Sequence, residues 1–119
     1  MEHLESHVGS RWVFTDGSKC QAGVGYAVVS QHRVKAGVLP RQSSVFTAEL
    51  TAILEALSPL AFERPGNITI FTDSQSAITN LGSLYPIHPL VRSIKQTIHK
   101  LTMRNFFFTV CWCPGHVSV

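Results

Sequence analysis

The sequence predicts one α/β domain: a five-stranded mixed sheet, three antiparallel strands followed by parallel crossovers, with helices on both faces. Two observations carry this expectation. First, two short apolar, β-prone runs each end in a carboxylate, Arg11-Trp-Val-Phe-Thr-Asp16 before Gly17-Ser18, and Ile68-Thr-Ile-Phe-Thr-Asp73 before Ser74. Second, strand-like patterns separated by short turns fill the chain up to Leu39, whereas helical periodicity dominates from Phe46 onward.

Residues 1–10 show no periodicity and are expected to be a loose lead-in to a domain spanning 11–119. The first strand, about 11–16, is expected to turn at Gly17-Ser18 and deliver Asp16 to a strand end. Ala22–Ser30 is rich in β-branched and aromatic residues and reads as the second strand. Its Gly23-Val24-Gly25 marks a close backbone approach rather than a phosphate loop, because no helix follows. Gln31-His32 turns into Arg33–Leu39, whose polar and apolar residues alternate as in a half-exposed strand, completing an antiparallel meander.

Ser43 and Ser44 are N-cap candidates for a helix over Phe46–Leu60, with Leu50, Ile53, Leu54 and Leu57 at helical spacing and a close-packing row of Ala48, Ala52 and Ala56. Pro59 and Pro65-Gly66 stop it. Glu49 is expected in its first turn, where simple compensation of the helix dipole is one account of it. After the strand ending at Asp73, a short helix over about Ser74–Leu84 points Ala77, Ile78, Leu81 and Leu84 inward. A longer helix over about Pro89–Arg104 carries Val91, Ile94, Ile98 and Leu101 on one face, and Arg92, Lys95, His99 and Lys100 away from it. Those bases serve either as a solvated face or as contacts to a nucleic-acid backbone. Phe106–Cys113 is the last strand.

Composition narrows the function classes. With 119 residues and 45% apolar content the chain suits one core, and its net charge of +3 with a pI near 9.0 leans toward an anionic partner. Cys20, Cys111 and Cys113 read as free, reduced thiols, since no Cys-x-x-Cys pairing occurs. No apolar run near the ~18 residues of a membrane span and no signal peptide is evident, so a soluble, intracellular protein without a membrane partner is expected.

If the first and fourth strands are neighbours and the long helix packs over their ends, Asp16, Asp73 and Glu49 converge. Carboxylates crowded in a low-dielectric cleft must share a proton or bind a cation. An all-oxygen set suits a hard ion, Mg²⁺ or Mn²⁺, which retains waters and accepts phosphate oxygens. A phosphodiester substrate follows from that chemistry.

Thr15-Asp16-Gly17-Ser18, Thr47-Ala48-Glu49-Leu50, Thr72-Asp73-Ser74-Gln75-Ser76-Ala77 and Trp112-Cys113-Pro114-Gly115-His116, in this order, resemble type 1 ribonuclease H. The likeness is greatest to the domains attached to reverse transcriptases of non-LTR retrotransposons. It implies a ribonuclease H-like fold and a metal-dependent endonuclease cutting the RNA strand of RNA–DNA hybrids to leave 5′-phosphate ends. A reverse transcriptase domain becomes a candidate partner. Asp16, Glu49 and Asp73 would hold two Mg²⁺ ions, with Mn²⁺ able to substitute, one activating water and the other stabilising the leaving 3′ oxygen. His116 would help product leave. Gly17, Ser18 and Gln75 would contact the hybrid, Ser18 and Gln75 at its minor groove, although a turn residue and a helix cap account for these two equally.

Two departures from the family pattern shape the expectations. The family carries a further Asp beyond the loop histidine, on a final helix, while this sequence ends at Val119. A domain lacking that helix is expected to expose Phe107 or Trp112 and to be marginally stable and slow or inactive. The basic protrusion that some members insert between the middle helices is also missing. The alternative is therefore a retroelement remnant that keeps the fold and binds nucleic acid without turnover. An unrelated metal-dependent phosphatase is disfavoured, because no Asp-x-Asp follows either strand.

Overall fold

The computed structural model describes residues 11–114. Five strands form one sheet in the order β3-β2-β1-β4-β5: β1 (Arg11–Cys20), β2 (Gly23–Ser30), β3 (Val34–Leu39), β4 (Asn67–Thr72) and β5 (Phe107–Trp112). The first three are antiparallel, and β4 joins β1 in parallel with Thr15 opposite Thr72. Strand β5 extends the parallel part on the far side of β4. The mixed sheet and its topology are as the sequence predicts.

Strand β1 differs from expectation in length. It does not turn at Gly17-Ser18 but continues to Cys20, pairing Gly17 with Tyr26 and Ser18 with Gly25 before the hairpin at Gln21-Ala22. The pairing of β2 along its whole length overrides the local turn signal of Gly-Ser. The close backbone approach expected at Gly23-Val24-Gly25 occurs at one of its two glycines: a Cβ on Gly25 would fall 3.1 Å from the Gly37 carbonyl oxygen on β3, whereas Gly23 faces open space and has a positive φ of 152°.

Helix α1 (Val45–Leu57) starts where a serine cap was expected, with the Thr47 amide donating to Ser44 Oγ at 3.0 Å. It passes into a 3₁₀ turn, Ser58–Phe62, at Pro59. The span Val45–Phe62 is in fact long and apolar enough to cross a membrane by length and composition, contrary to the sequence expectation. Here it is the core helix: Ala48, Leu50, Ala52, Ile53, Ala56 and Leu57 are buried in the domain.

Helix α2 (Gln75–Leu81) is shorter than predicted, and Leu84 lies outside it, 84% exposed rather than inward. Helix α3 (Pro89–Thr102) has proline in its first turn and buries Val91, Ile94 and Leu101. Left-handed Asn105 (φ 70°) ends it, with Phe106 N donating to Leu101 O at 3.1 Å and Asn105 N to Thr102 O at 3.0 Å. This closure drives Phe106 fully into the core, with the guanidinium carbons of Arg11 and Arg104 5.9 and 5.7 Å from its ring centre.

Among the described residues the helices pack on one face of the sheet, not on both as expected. Alternation sends Val13, Thr15, Gly17, Ile68, Ile70 and Thr72 toward them and leaves Trp12, Phe14 and Phe107 partly exposed on the other side. Phe14 stacks on Phe71 there at 4.6 Å. Residues 1–10, and with them the predicted lead-in, lie outside the described residues.

Gly17 is the point at which β1 and α1 meet. A Cβ there would lie 2.6 Å from the Ala48 carbonyl carbon and closer still to the Glu49 amide nitrogen, both backbone atoms that cannot step aside. Gly17→Ala is therefore expected to push the helix off the strand and destabilise the domain by about 1–3 kcal/mol, as overpacking does. Urea unfolding with an unchanged slope checks this.

Candidate active site

The register of the two central parallel strands sets the first pair of acids. Thr15 and Thr72 are the last residues paired between β1 and β4, so Asp16 and Asp73 are the next residue on each of two neighbouring chains. They are side by side as expected, but Asp16 stands within a strand and only Asp73 stands just past a strand end. Both preceding threonines are buried, Thr15 at 6% and Thr72 at 2% exposure. Thr15 Oγ1 donates to Phe71 O at 3.0 Å, tying β1 to β4 immediately before the acids, and Thr72 Oγ1 accepts the Ser74 amide at 3.1 Å.

Glu49 arrives from above. With Val45 as the first helical residue, Glu49 lies beyond the first turn of α1, which contains no acid, so dipole compensation does not account for it. The backbone of Ala48-Glu49 rests on Gly17. Loss of hydration pushes the Glu49 carboxyl above its usual range. A hydrogen bond from the Ser74 hydroxyl opposes that shift, while the charges of Asp73 and Asp16 add to it. All three carboxylates thus act in one electrostatic neighbourhood.

Asp73 itself is held with unusual firmness. The Cys113 amide donates to Thr72 O at 2.8 Å, the Trp112 indole N–H donates to Asp73 O at 3.3 Å, and buried Ser74 caps α2 through the Ala77 amide at 3.0 Å. Its Oδ1 is nevertheless buried without a hydrogen-bond partner among the described residues. A carboxylate oxygen withdrawn from water and given no donor is a strong acceptor for a cation. No three His, Cys, Asp or Glu side chains among the described residues are grouped closely enough to cage a metal alone. The three expected acids are therefore near enough to feel one another's charge without forming a closed three-carboxylate ligand set among the described residues.

The remaining expected residues fall in different places. Ser18 is an exposed strand residue rather than a turn, and Gln75 is exposed at the start of α2, with Ser74 rather than Gln75 as the cap. Gly17 is buried against α1, a packing role. His116 lies outside the described residues. Of the basic residues on α3, Arg92 donates to Pro86 O and Ile87 O at 3.0 Å each and Lys95 donates to Ser83 O, so both tie down the preceding loop. Sequence reasoning assigned no role to Thr15, Thr72, Ser74 or Trp112. The repeated Thr-Asp step was the available signal for the two threonines.

The raised Glu49 pKa sets a pH dependence. Below about pH 4.5, the ordinary value for the group, Glu49 is protonated in folded and unfolded chains alike and exacts no penalty. As pH rises from there through the higher folded value, ionisation becomes less favourable in the folded state, and stability falls. Glu49→Gln is expected to raise the metal-free melting temperature at neutral pH, with the gain vanishing in acid. Thermal melts of both proteins between pH 4 and 8 measure it.

Comparison with known proteins places this arrangement. RNase H1 from the halophilic archaeon Halobacterium salinarum NRC-1 has a similar fold, with a TM-score of 0.64 at 20% identity over 90% of this chain and 87% of that one. A search of curated proteins finds no match. Residues 9–119, which include all four motifs, match the RNase H family, and the chain belongs to that family.

Proposed function

We propose that this RNase H domain hydrolyses the RNA strand of RNA–DNA hybrids at the site built by Asp16, Glu49 and Asp73. The hydrolase and ribonuclease character is that of its family. The observation that carries the site assignment is the buried, unpartnered Asp73 Oδ1, on a residue whose charge, with that of Asp16, adds to the upward shift that burial imposes on Glu49. These three residues would hold divalent cations, two by family precedent and Mg²⁺ by preference, which when bound polarise the scissile phosphate and lower the pKa of the attacking water. The chain's own part is positional. Paired strands fix Asp16 and Asp73, and α1 brings Glu49 across Gly17. Ser18 and Gln75, both exposed, are the proposed minor-groove contacts.

The four motifs further support a domain of the kind attached to non-LTR reverse transcriptases. No Asp or Glu follows Asp73 in the sequence, so the later half of the chain has a positive field that favours nucleic acid. Yet Arg92 and Lys95 are engaged by loop carbonyls, which leaves few cations to grip a backbone. In this reading an attached reverse transcriptase domain would add to the grip on the hybrid.

A domain that binds hybrid without cutting it is the alternative, favoured by the absence of a closed three-carboxylate cage among the described residues. Cleavage of an end-labelled hybrid separates the two. Activity is expected with Mg²⁺ or Mn²⁺ and not with Ca²⁺, whose longer bonds misplace the attacking water while still permitting binding. Undiminished turnover in EDTA overturns the metal mechanism. Asp73→Asn is expected to abolish cleavage while preserving or raising the metal-free melting temperature, because it takes one charge out of a group of neighbouring acids together with a metal ligand.

A further inference from the structure

Trp112 belongs to a motif whose proposed function uses only its histidine, and it lies in a place its strand does not explain. By alternation it shares the helix-bearing side of β5 with Phe108 and Val110, yet the residue is 48% exposed and stands outside the core cluster. Its one polar atom is committed. Indole Nε1–H donates to the backbone carbonyl of Asp73 at 3.3 Å, across from β5 to the turn that joins β4 to α2. Two residues of the same strand end thereby clasp consecutive carbonyls, Cys113 N on Thr72 O at 2.8 Å and Trp112 Nε1 on Asp73 O.

We propose that Trp112 is a positioning residue for Asp73, setting through its indole N–H the orientation of the peptide from which the metal-binding carboxylate springs. The proposal rests on the assignment of Asp73 as a ligand. Its physical content is specific. The β4 ladder ends at Thr72, so nothing in the sheet fixes the Asp73 carbonyl. Thr72 Oγ1 accepts the Ser74 N–H and so holds the nitrogen side of the Asp73–Ser74 peptide, while the indole holds its carbonyl side, and the two bonds together stop that peptide from rotating. A carboxylate whose peptide can rock presents its oxygen to a cation in the right place for only part of the time. The effect falls on metal affinity more than on the saturated rate.

Two measurements test this, one of them independent of turnover. The chain has two tryptophans, and Trp12, four residues before Asp16 on the open side of the sheet, is an internal control. In the unaltered protein, MgCl₂ titrated into an ¹⁵N-labelled sample is expected to move the Trp112 indole N–H resonance and leave that of Trp12 in place. Trp112→Phe keeps an aromatic ring, smaller than indole, and deletes the donor. It is expected to raise the Mg²⁺ concentration for half-maximal cleavage by roughly twofold to tenfold, the range of one neutral hydrogen bond, with the rate at saturating Mg²⁺ close to the parent's. Trp12→Phe is expected to leave that midpoint unchanged.

A Trp112 indole resonance that stays still throughout the titration overturns the proposal. So does a Trp112→Phe midpoint equal to the parent's. If instead Asp73→Asn cleaves like the parent, the ligand assignment underneath has failed. Should Trp112→Phe not fold, the indole titration on the unaltered chain decides.

Discussion

The contact on which the rest of this domain depends is one between backbones. Strand β1 and helix α1 approach at Gly17 so closely that the helix at Ala48-Glu49 occupies the volume a side chain would need. Such an approach is open only to glycine, and the small-residue row of Ala48, Ala52 and Ala56 continues it along the helix, all of them buried. Because the helix is seated this deeply, an acid beyond its first turn reaches the plane of the strand ends. A larger residue at position 17 would lift Glu49 away from Asp16 and Asp73 without altering any of the three.

The acids themselves are an uneven set. Asp16 is exposed, Glu49 half-buried, and Asp73 has one oxygen shut away without a donor. The surrounding polar residues are spent on the backbone rather than on the carboxylate of Asp73: Thr15 on Phe71 O, Thr72 on the Ser74 amide, Trp112 on Asp73 O. Rigidity is thus supplied to the peptide while Oδ1 of the carboxylate receives no donor among the described residues, which is the arrangement expected of a group that takes a cation. The Ser74 hydroxyl bridges the two sides, capping α2 and restraining the Glu49 carboxyl.

The two faces of the sheet differ sharply. One side is filled by α1, α2 and α3 around Phe106, Leu50, Ile53 and Ile70, all fully buried. On the other, Trp12 packs edge-on against Phe14 and Phe14 stacks on Phe71 with no helix over them among the described residues. Before Asp16, strand β1 carries three consecutive apolar residues, Trp12, Val13 and Phe14, the pattern of a strand covered on both sides. The aromatic contacts between neighbouring strands shield part of that surface, and Trp12 and Phe14 still keep 36% and 42% of theirs exposed.

Local chemistry alone determined much of this protein. The three-strand meander, the Ser44 cap with the helix behind it, the proline at the start of α3 and the order of the four motifs depend on periodicity and turn residues, which act over a few positions. Tertiary contact decided the rest. Gly17-Ser18 has the composition of a turn, but eight paired residues of β2 hold it in a strand as far as Cys20. Leu84 fits a helical stripe on paper, but α2 ends at Leu81 and leaves it in water. The role of Trp112 was hidden because its partner, the Asp73 carbonyl, is 39 positions away in the chain. A backbone acceptor leaves no mark on composition, and the bond exists only once β5 has been laid parallel to β4.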